Sequence, residues 1–432
     1  MTQLLNEPTT SSPKTLVRIV DQLDVAGMVN CLRDLVKIPS VTGSDYENQA
    51  QHWFAERLRQ TDLETDLWQI DLPTITADPE FPGMEVARSE AWGLVGSLPG
   101  TDKDAPTFVL NGHIDVVPPG DMQQWYEQEA YTGRVANGLL YGRGACDMKA
   151  GLVCNLFAVK AIQAAGVKLR GSILLESVVG EEDGGLGTFA TLQRGYRGDA
   201  AIITEPTEMQ IIPACAGALT FRLHITGLSA HASVRRNGVS VIEKFWPIWK
   251  ALEELEMRRN VSDNPLMSKF ELPYPLSIGT LQAGNWPSSV PDQLVAEGRL
   301  GVALGESSAS ARRELEAVLA QVCHQDEWLC EHPARLEWFG GQFASGQTDI
   351  ADPLIHLVSQ AHQKLHGNVP TVHGAPYGSD LRLMTKLGHI PTLHYGPGSV
   401  KQAHAPNEYV PIAEMVQTAQ TLIAIILQYC GD

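Results

Sequence analysis

The residues in this chain that could do chemistry are acidic and imidazole groups arranged around one hinge, Leu139–Gly151 (LLYGRGACDMKAG). A short apolar run, Leu139-Leu140-Tyr141, reaches a turn built on Gly142 and Gly144. The turn delivers a single carboxylate, Asp147, to a helical pattern that runs to about Gly166. Taken alone, such an Asp reads as a helix N-cap, worth roughly 0.5–2 kcal/mol. Its company changes the reading. Upstream stands Asn111-Gly112-His113-Ile114-Asp115; downstream stand Glu181-Glu182, then Glu205 before Pro206, then His404. Acid and imidazole groups so spaced around an acidic hinge point to a two-metal hydrolase.

Each member has a chemical reason to be there. His113 and Asp115 are two apart at a strand end, so both leave the same face. His113 can ligate a metal while Asp115 holds the other ring nitrogen; a hydrogen-bonded core histidine is the plain alternative. Asp147 has two oxygens and can bridge two cations about 3.5–4 Å apart, offsetting their repulsion. Glu181 and Glu182 follow a buried strand and precede Asp183-Gly184-Gly185. Unless the pair is simply a solvated acidic turn, two adjacent carboxylates there are costly without neutralisation. A metal on one leaves the other free to act as general base. Glu205 ends the next buried strand, and His404 lies in the loop GPGSVKQAHAPNEYV. The donor set His, Asp, Glu, Glu, His suits zinc and tolerates cobalt or manganese.

The elements that must position these groups are legible as patterns. Apolar spacing predicts helices over 25–38 and from Ser44, with Glu47 at a capping-box position. Residues 73–90 are Pro-rich and irregular, as in a surface loop. Short β-prone runs at 91–98, 107–111, 171–179 and 200–204 alternate with helical patterns at 147–166 and 187–194. The last two runs are continuously apolar, as in strands buried on both faces. This alternation predicts an α/β domain with helices on both faces of a sheet, its site at the strands' C-terminal ends. After Ala214 the texture changes. Leu219, Phe221, Leu223 and Ile225 alternate with other residues, and strand and helix candidates follow in the order β-α-β-β-α-β, the ferredoxin-like unit. The expected division is 16–213 with 341–432 for the first domain and 214–340 for the insert. The α/β texture then resumes, with a helix at 353–366, a strand at 392–395 and a last helix after Pro411.

The motifs GHIDVVP, GRGACDMKAG, GEEDGG, TEPT, GLSAHAS and the closing GPG…AH…NEYV resemble the acetylornithine deacetylase/succinyl-diaminopimelate desuccinylase family of dinuclear zinc metallopeptidases and deacylases. The resemblance covers about residues 25–430. It implies a zinc-peptidase-like catalytic domain with a mixed sheet and an inserted ferredoxin-like dimerisation domain. It implies two zinc ions per subunit, one on His113, Asp147 and Glu205 and the other on His404, Asp147 and Glu182. Glu181 would be the general base and Asp115 the orienter of His113. His231, in GLSAHAS, would reach the partner subunit's site in a homodimer and stabilise the oxyanion. The implied activity is removal of an N-acyl group (acetyl, formyl or succinyl) from an amino acid or related small amine, with a dipeptidase or carboxypeptidase as the alternative. Ser379 and Arg382, in GSDLR, resemble a pocket-lining segment, and Arg382 could take a substrate carboxylate. Asn285 and Arg299 are further candidate substrate contacts. The chain departs from the family's pattern at Ser288-Ser289-Val290-Pro291, where relatives commonly carry Asn-Val-Val-Pro or similar.

Composition bounds the rest. A chain of 432 residues has room for two domains. A net charge of −18 with no basic run argues against nucleic acid and anionic membranes. The first 15 residues read as a polar, disordered tail without the apolar core of a signal peptide. No stretch offers the ~18 apolar residues of a membrane span. Seven scattered cysteines without a CxxC suggest a reducing compartment, hence the cytoplasm.

Overall fold

The computed structural model describes residues 13–261 and 264–431. Positions 1–12 of the expected tail lie outside the described residues, and a helix begins at Pro13.

Two sheets organise the chain. The larger has nine strands. Across it run Glu64–Gln69, Trp92–Leu98, Ser172–Val178, Thr107–His113, Ala200–Ile203, Thr392–His394, Ile211–Cys215 and Gly346–Gln347, with Val372–Ala375 also paired to Ile211–Cys215. Ser172–Val178, Thr107–His113, Ala200–Ile203 and Thr392–His394 are mutually parallel, while both flanks are antiparallel. The sheet is therefore mixed, as expected. The parallel strands are buried along nearly their whole length, polar residues such as Asn111 and Glu176 included, because both faces are covered. Phe108, Leu110, Leu175 and Ile202 enter one core with Leu32, Leu156, Leu422 and Ile426 from the helices Val25–Val36, Ala150–Ala164 and Ile412–Cys430. Val109, Leu174, Ala201 and Ile203 enter the opposite core with Phe189 and Met384 from Leu186–Gln193 and Leu381–Lys386. The period of two along each strand thus feeds two cores.

The smaller sheet is antiparallel, in the order Leu276–Ala283, Gln293–Val302, Gly217–Thr226, Arg335–Phe343. With helices Val241–Arg259 and Ser308–Gln325 it forms the β-α-β-β-α-β unit. Leu219, Phe221, Leu223 and Ile225 face those helices through Phe245, Leu252, Leu315 and Leu319. Thr220, Arg222 and His224 take the other face. The large sheet keeps the chain through Cys215 and takes it back at Gly346; Gly217 to Phe343 belong to the small sheet and its helices.

Candidate metal centre

Three adjacent parallel strands bring most of the site together. His113 is the last residue of the central one, Thr107–His113. Glu181 and Glu182 occupy the turn after Ser172–Val178 on one side, and Glu205 follows Ala200–Ile203 on the other. His404 comes from the loop after Thr392–His394, the next parallel strand. Asp147 arrives from the hinge. It does not cap the helix, which starts at Ala150; its backbone is extended (φ −114°, ψ 99°).

The donor atoms converge. His113 Nε2 lies 3.2 Å from Asp147 Oδ1 and 3.8 Å from Glu205 Oε1. His404 Nε2 lies 3.5 Å from the other Asp147 oxygen and 3.1 Å from Glu182 Oε2. Ligand atoms of His113, Glu181 and Glu205, and likewise of His113, Asp147 and Glu182, all fall within 4.8 Å of one another. Burial, then the Asp380 carboxylate, push Glu181 well above the usual carboxylate range. Burial and Asp147 do the same to Glu205. The hydrogen bond to Glu182 raises His404 to about 9.

These residues fit a cation. Four carboxylates and two imidazoles are packed together with the Glu182 Oε1 atom buried and without a hydrogen-bond partner. The His113 ring donates from Nδ1 to the Asp115 carbonyl at 2.9 Å. Its Nε2 then faces carboxylate oxygens of Asp147 and Glu205, so a positive charge, a ring proton or a cation, must lie between.

Asp115 differs from the expectation in one respect. Its carbonyl, not its carboxylate, meets the His113 ring; the nearer carboxylate oxygen is 3.7 Å away. The side chain instead accepts the Thr42 hydroxyl at 2.7 Å and the N–H groups of Glu181 and Glu182 at 3.3 and 3.2 Å. One residue therefore orients the ring through its backbone and holds the acidic turn through its carboxylate.

The supporting residues were less visible in the sequence. Glu408, fully buried, accepts the N–H groups of Cys146 and Asp147 and an Arg143 N–H. Arg88, in the segment expected to be a surface loop, has a buried side chain bonded to both Glu47 and Asp183, the residue after Glu182. Glu47 is thereby drawn away from a capping box: Ser44 caps nothing with its side chain, and Glu47 accepts from the N–H groups of Gly43 and Gly180.

The substrate candidates are placed differently from expectation. Arg382 is not an open cation. It is 3% exposed, donates to the carbonyls of Ser379 and Gly184 at 2.7 and 2.6 Å, and stacks on Phe343. Ser379 is buried and bonded to His394 at 3.0 Å. His231, Asn285 and Arg299 belong to the small sheet and its turns, with no hydrogen bond or ion pair to the cluster among the described residues. His231 is exposed and accepts the Ser233 N–H on Nδ1 at 3.1 Å. Its turn is pinned by the departing segment, Ala232 N–H to Ser288 and Val290 N–H to Ala230. Asn285 is exposed, and Arg299 is paired with Glu85.

The sequence model of peptidase family M20/M25/M40 matches residues 109–428, a span that holds the whole cluster from His113 to His404. An N-formyl-4-amino-5-aminomethyl-2-methylpyrimidine deformylase of Halalkalibacterium halodurans is 30% identical over 361 residues, 78% of this chain and 82% of its own length. A succinyl-diaminopimelate desuccinylase of Rhodopseudomonas palustris is 28% identical over 337 residues, 75% of this chain and 83% of its own. The solved structure of the dipeptidase Dug1p of Saccharomyces cerevisiae superposes with a TM-score of 0.75 at 16% identity, covering 97% of this chain and 99% of that one. At that identity the likeness speaks for the fold. The chain is a hydrolase and belongs to peptidase family M20/M25/M40.

Proposed function

We propose that this enzyme removes a small N-acyl group, formyl, acetyl or succinyl, from a small amine, using two zinc ions per subunit. The observation that carries the reading is the placement of Asp147 between His113 and His404, one carboxylate oxygen toward each. His113, Asp147 and Glu205 would hold one ion, and His404, Asp147 and Glu182 the other; cobalt or manganese would substitute. Such ions supply Lewis acidity toward an amide carbonyl and make water acidic near neutral pH. Glu181 remains outside both ligand sets. Its raised proton affinity suits it to take the proton of the attacking water and pass it to the leaving amine nitrogen. Asp115 holds Glu181 in place through its N–H. The deformylase and desuccinylase relatives support the acyl-amide substrate class.

The reading includes a homodimer formed through the small-sheet unit. Its edge strand Leu276–Ala283 and the adjoining turn expose Leu281 and Trp286, and the helix Val241–Arg259 exposes Ile242 and Trp246. Large apolar side chains grouped this way suit a protein interface. His231 of the partner subunit would then donate from its ring to the developing oxyanion. Seven unpaired cysteines support a reducing compartment, the cytoplasm. No helix among the described residues is long and apolar enough to cross a membrane.

The test is turnover by zinc- or cobalt-loaded protein of N-formyl, N-acetyl and N-succinyl amines and amino acids, run beside free dipeptides. Release of the amine from acyl substrates is expected. Turnover of dipeptides alone would replace this reading with a dipeptidase.

A further inference from the structure

Residues 82–86 form a bridge between the acidic turn of the candidate site and the small sheet. On one side the Val86 N–H donates to Asp183 at 2.9 Å. On the same side the carbonyl of Gly83 lies so close to Gly184 that a Cβ there would come within 2.1 Å of it. On the other side the Pro82 carbonyl accepts the Gln342 N–H at 3.0 Å. Gly83 itself has φ +86° and abuts the Gly340 carbonyl, so the crossing needs a residue without a side chain. This bridge sets Glu85 over the small sheet, where Thr220 and Arg299 are paired across neighbouring strands. Glu85 Oε1 accepts the Thr220 hydroxyl at 3.0 Å and an Arg299 N–H at 3.2 Å.

The same pattern holds for the other cations of that sheet face and of the site. Arg222 is matched by Glu297 and Glu337, and His224 by Glu337. Arg88 and Arg143 are spent on Glu47, Asp183 and Glu408. Arg382 is spent on two carbonyls beside Asp380. Recognition of a substrate carboxylate needs an unmatched arginine or lysine. Arg299, on that sheet face and next to the bridge, stays 48% exposed, and among the described residues Glu85 is the carboxylate that neutralises it.

Building on the amide-hydrolase reading above, we infer that Glu85 is a specificity-determining residue. It occupies Arg299 with a carboxylate of the chain itself and so turns the site against substrates that carry one. The amine released is therefore uncharged or cationic apart from its reacting nitrogen, and acidic amino acid derivatives are poor substrates. Discrimination of this kind works by repulsion and by denying a partner, rather than by added attraction to the right ligand.

The test uses a matched pair that differs by one carboxylate, N-formylbenzylamine and N-formylphenylglycine, with the metal-loaded full-length enzyme. The wild type is expected to favour the uncharged amide in kcat/KM by about tenfold or more. Glu85→Gln keeps an acceptor for Thr220 and removes the charge. It should raise the carboxylate substrate relative to the uncharged one by about tenfold, and adding Arg299→Gln should erase that gain. A wild type that prefers the carboxylate, or a ratio unmoved by Glu85→Gln, overturns the inference. Hydrolysis of neither amide leaves the functional reading to the formyl, acetyl and succinyl panel above. In that case calorimetric binding of the same pair decides: no gain in affinity for N-formylphenylglycine on Glu85→Gln sinks the inference, and a gain lost again with Arg299→Gln supports it.

Discussion

The Glu408 carboxylate accepts the Asp147 N–H at 3.1 Å, across a separation of 261 residues in the chain. The same oxygen takes the Cys146 N–H at 2.8 Å, and the other takes Arg143 at 2.6 Å. Glu408 lies four residues beyond His404. One buried carboxylate thus ties the hinge that carries Asp147 to the loop that carries His404.

Glu408→Ala should therefore damage both stability and metal binding. It leaves the Arg143 guanidinium, 2% exposed, without its counter-charge. Breaking such a buried pair typically costs about 3–5 kcal/mol. Chemical denaturation of metal-free protein reads the first effect, and metal titration the second. Wild-type stability together with wild-type metal affinity would show that the tie is incidental.

Glu181→Gln is expected to keep its metals and lose turnover. Glu182, not Glu181, is the carboxylate facing His404. An amide cannot accept the water proton, so the rate should fall by about 10²–10⁴-fold. Metal analysis beside kcat checks this. Near-normal kcat would remove Glu181 from the mechanism, and loss of metal would make it a ligand.

How much of this could be read from sequence follows from where each signal lies. His113, Glu181-Glu182 and Glu205 stand two or three residues past apolar runs, so local pattern alone puts them at strand ends. The alternation at Leu219–Ile225 likewise reveals the change to a half-exposed sheet. Arg88 carries no such signal. Its partners Glu47 and Asp183 lie 41 and 95 residues away, and only the folded chain brings them together. Arg382 misled for the same reason: whether an arginine serves a ligand or the chain depends on which carbonyls surround it. Glu47 shows the converse. Its spacing from Ser44 fits a capping box, but a buried cation outbids the local hydrogen bond.

His394 predicts part of the enzyme's acid sensitivity. The ring is fully buried beside Ser379 and Cys215, and burial holds it near 3 against an ordinary value of 6.5. Between those values the unfolded chain binds one more proton than the folded chain, so stability falls as pH falls from about 6.5. From pH 7 to pH 5 this one group should remove about 2 kcal/mol. His394→Asn should lose less than the wild type over that interval. Denaturation with a chelator present at both pH values checks it, since metal release then contributes nothing. Equal losses in the two proteins would assign the sensitivity elsewhere.

His231 gives the sharpest test of a shared site. It sits on an exposed turn of the small sheet, with no hydrogen bond or ion pair to the candidate metal cluster of its own chain among the described residues. His231→Ala should fold, dimerise and bind metal, yet lose kcat by about 10²–10³-fold, the scale of an oxyanion donor. The decisive experiment mixes two inactive proteins, His231→Ala and Glu181→Gln. If His231 acts across the dimer, one site of each mixed dimer combines an intact Glu181 with an intact His231 from the other chain. Random exchange makes about half of the dimers mixed, so activity should return to roughly one quarter of wild type when sites act independently. If His231 serves its own chain, both sites of every mixed dimer stay defective. No recovery, with subunit exchange demonstrated separately, would rule out the shared site.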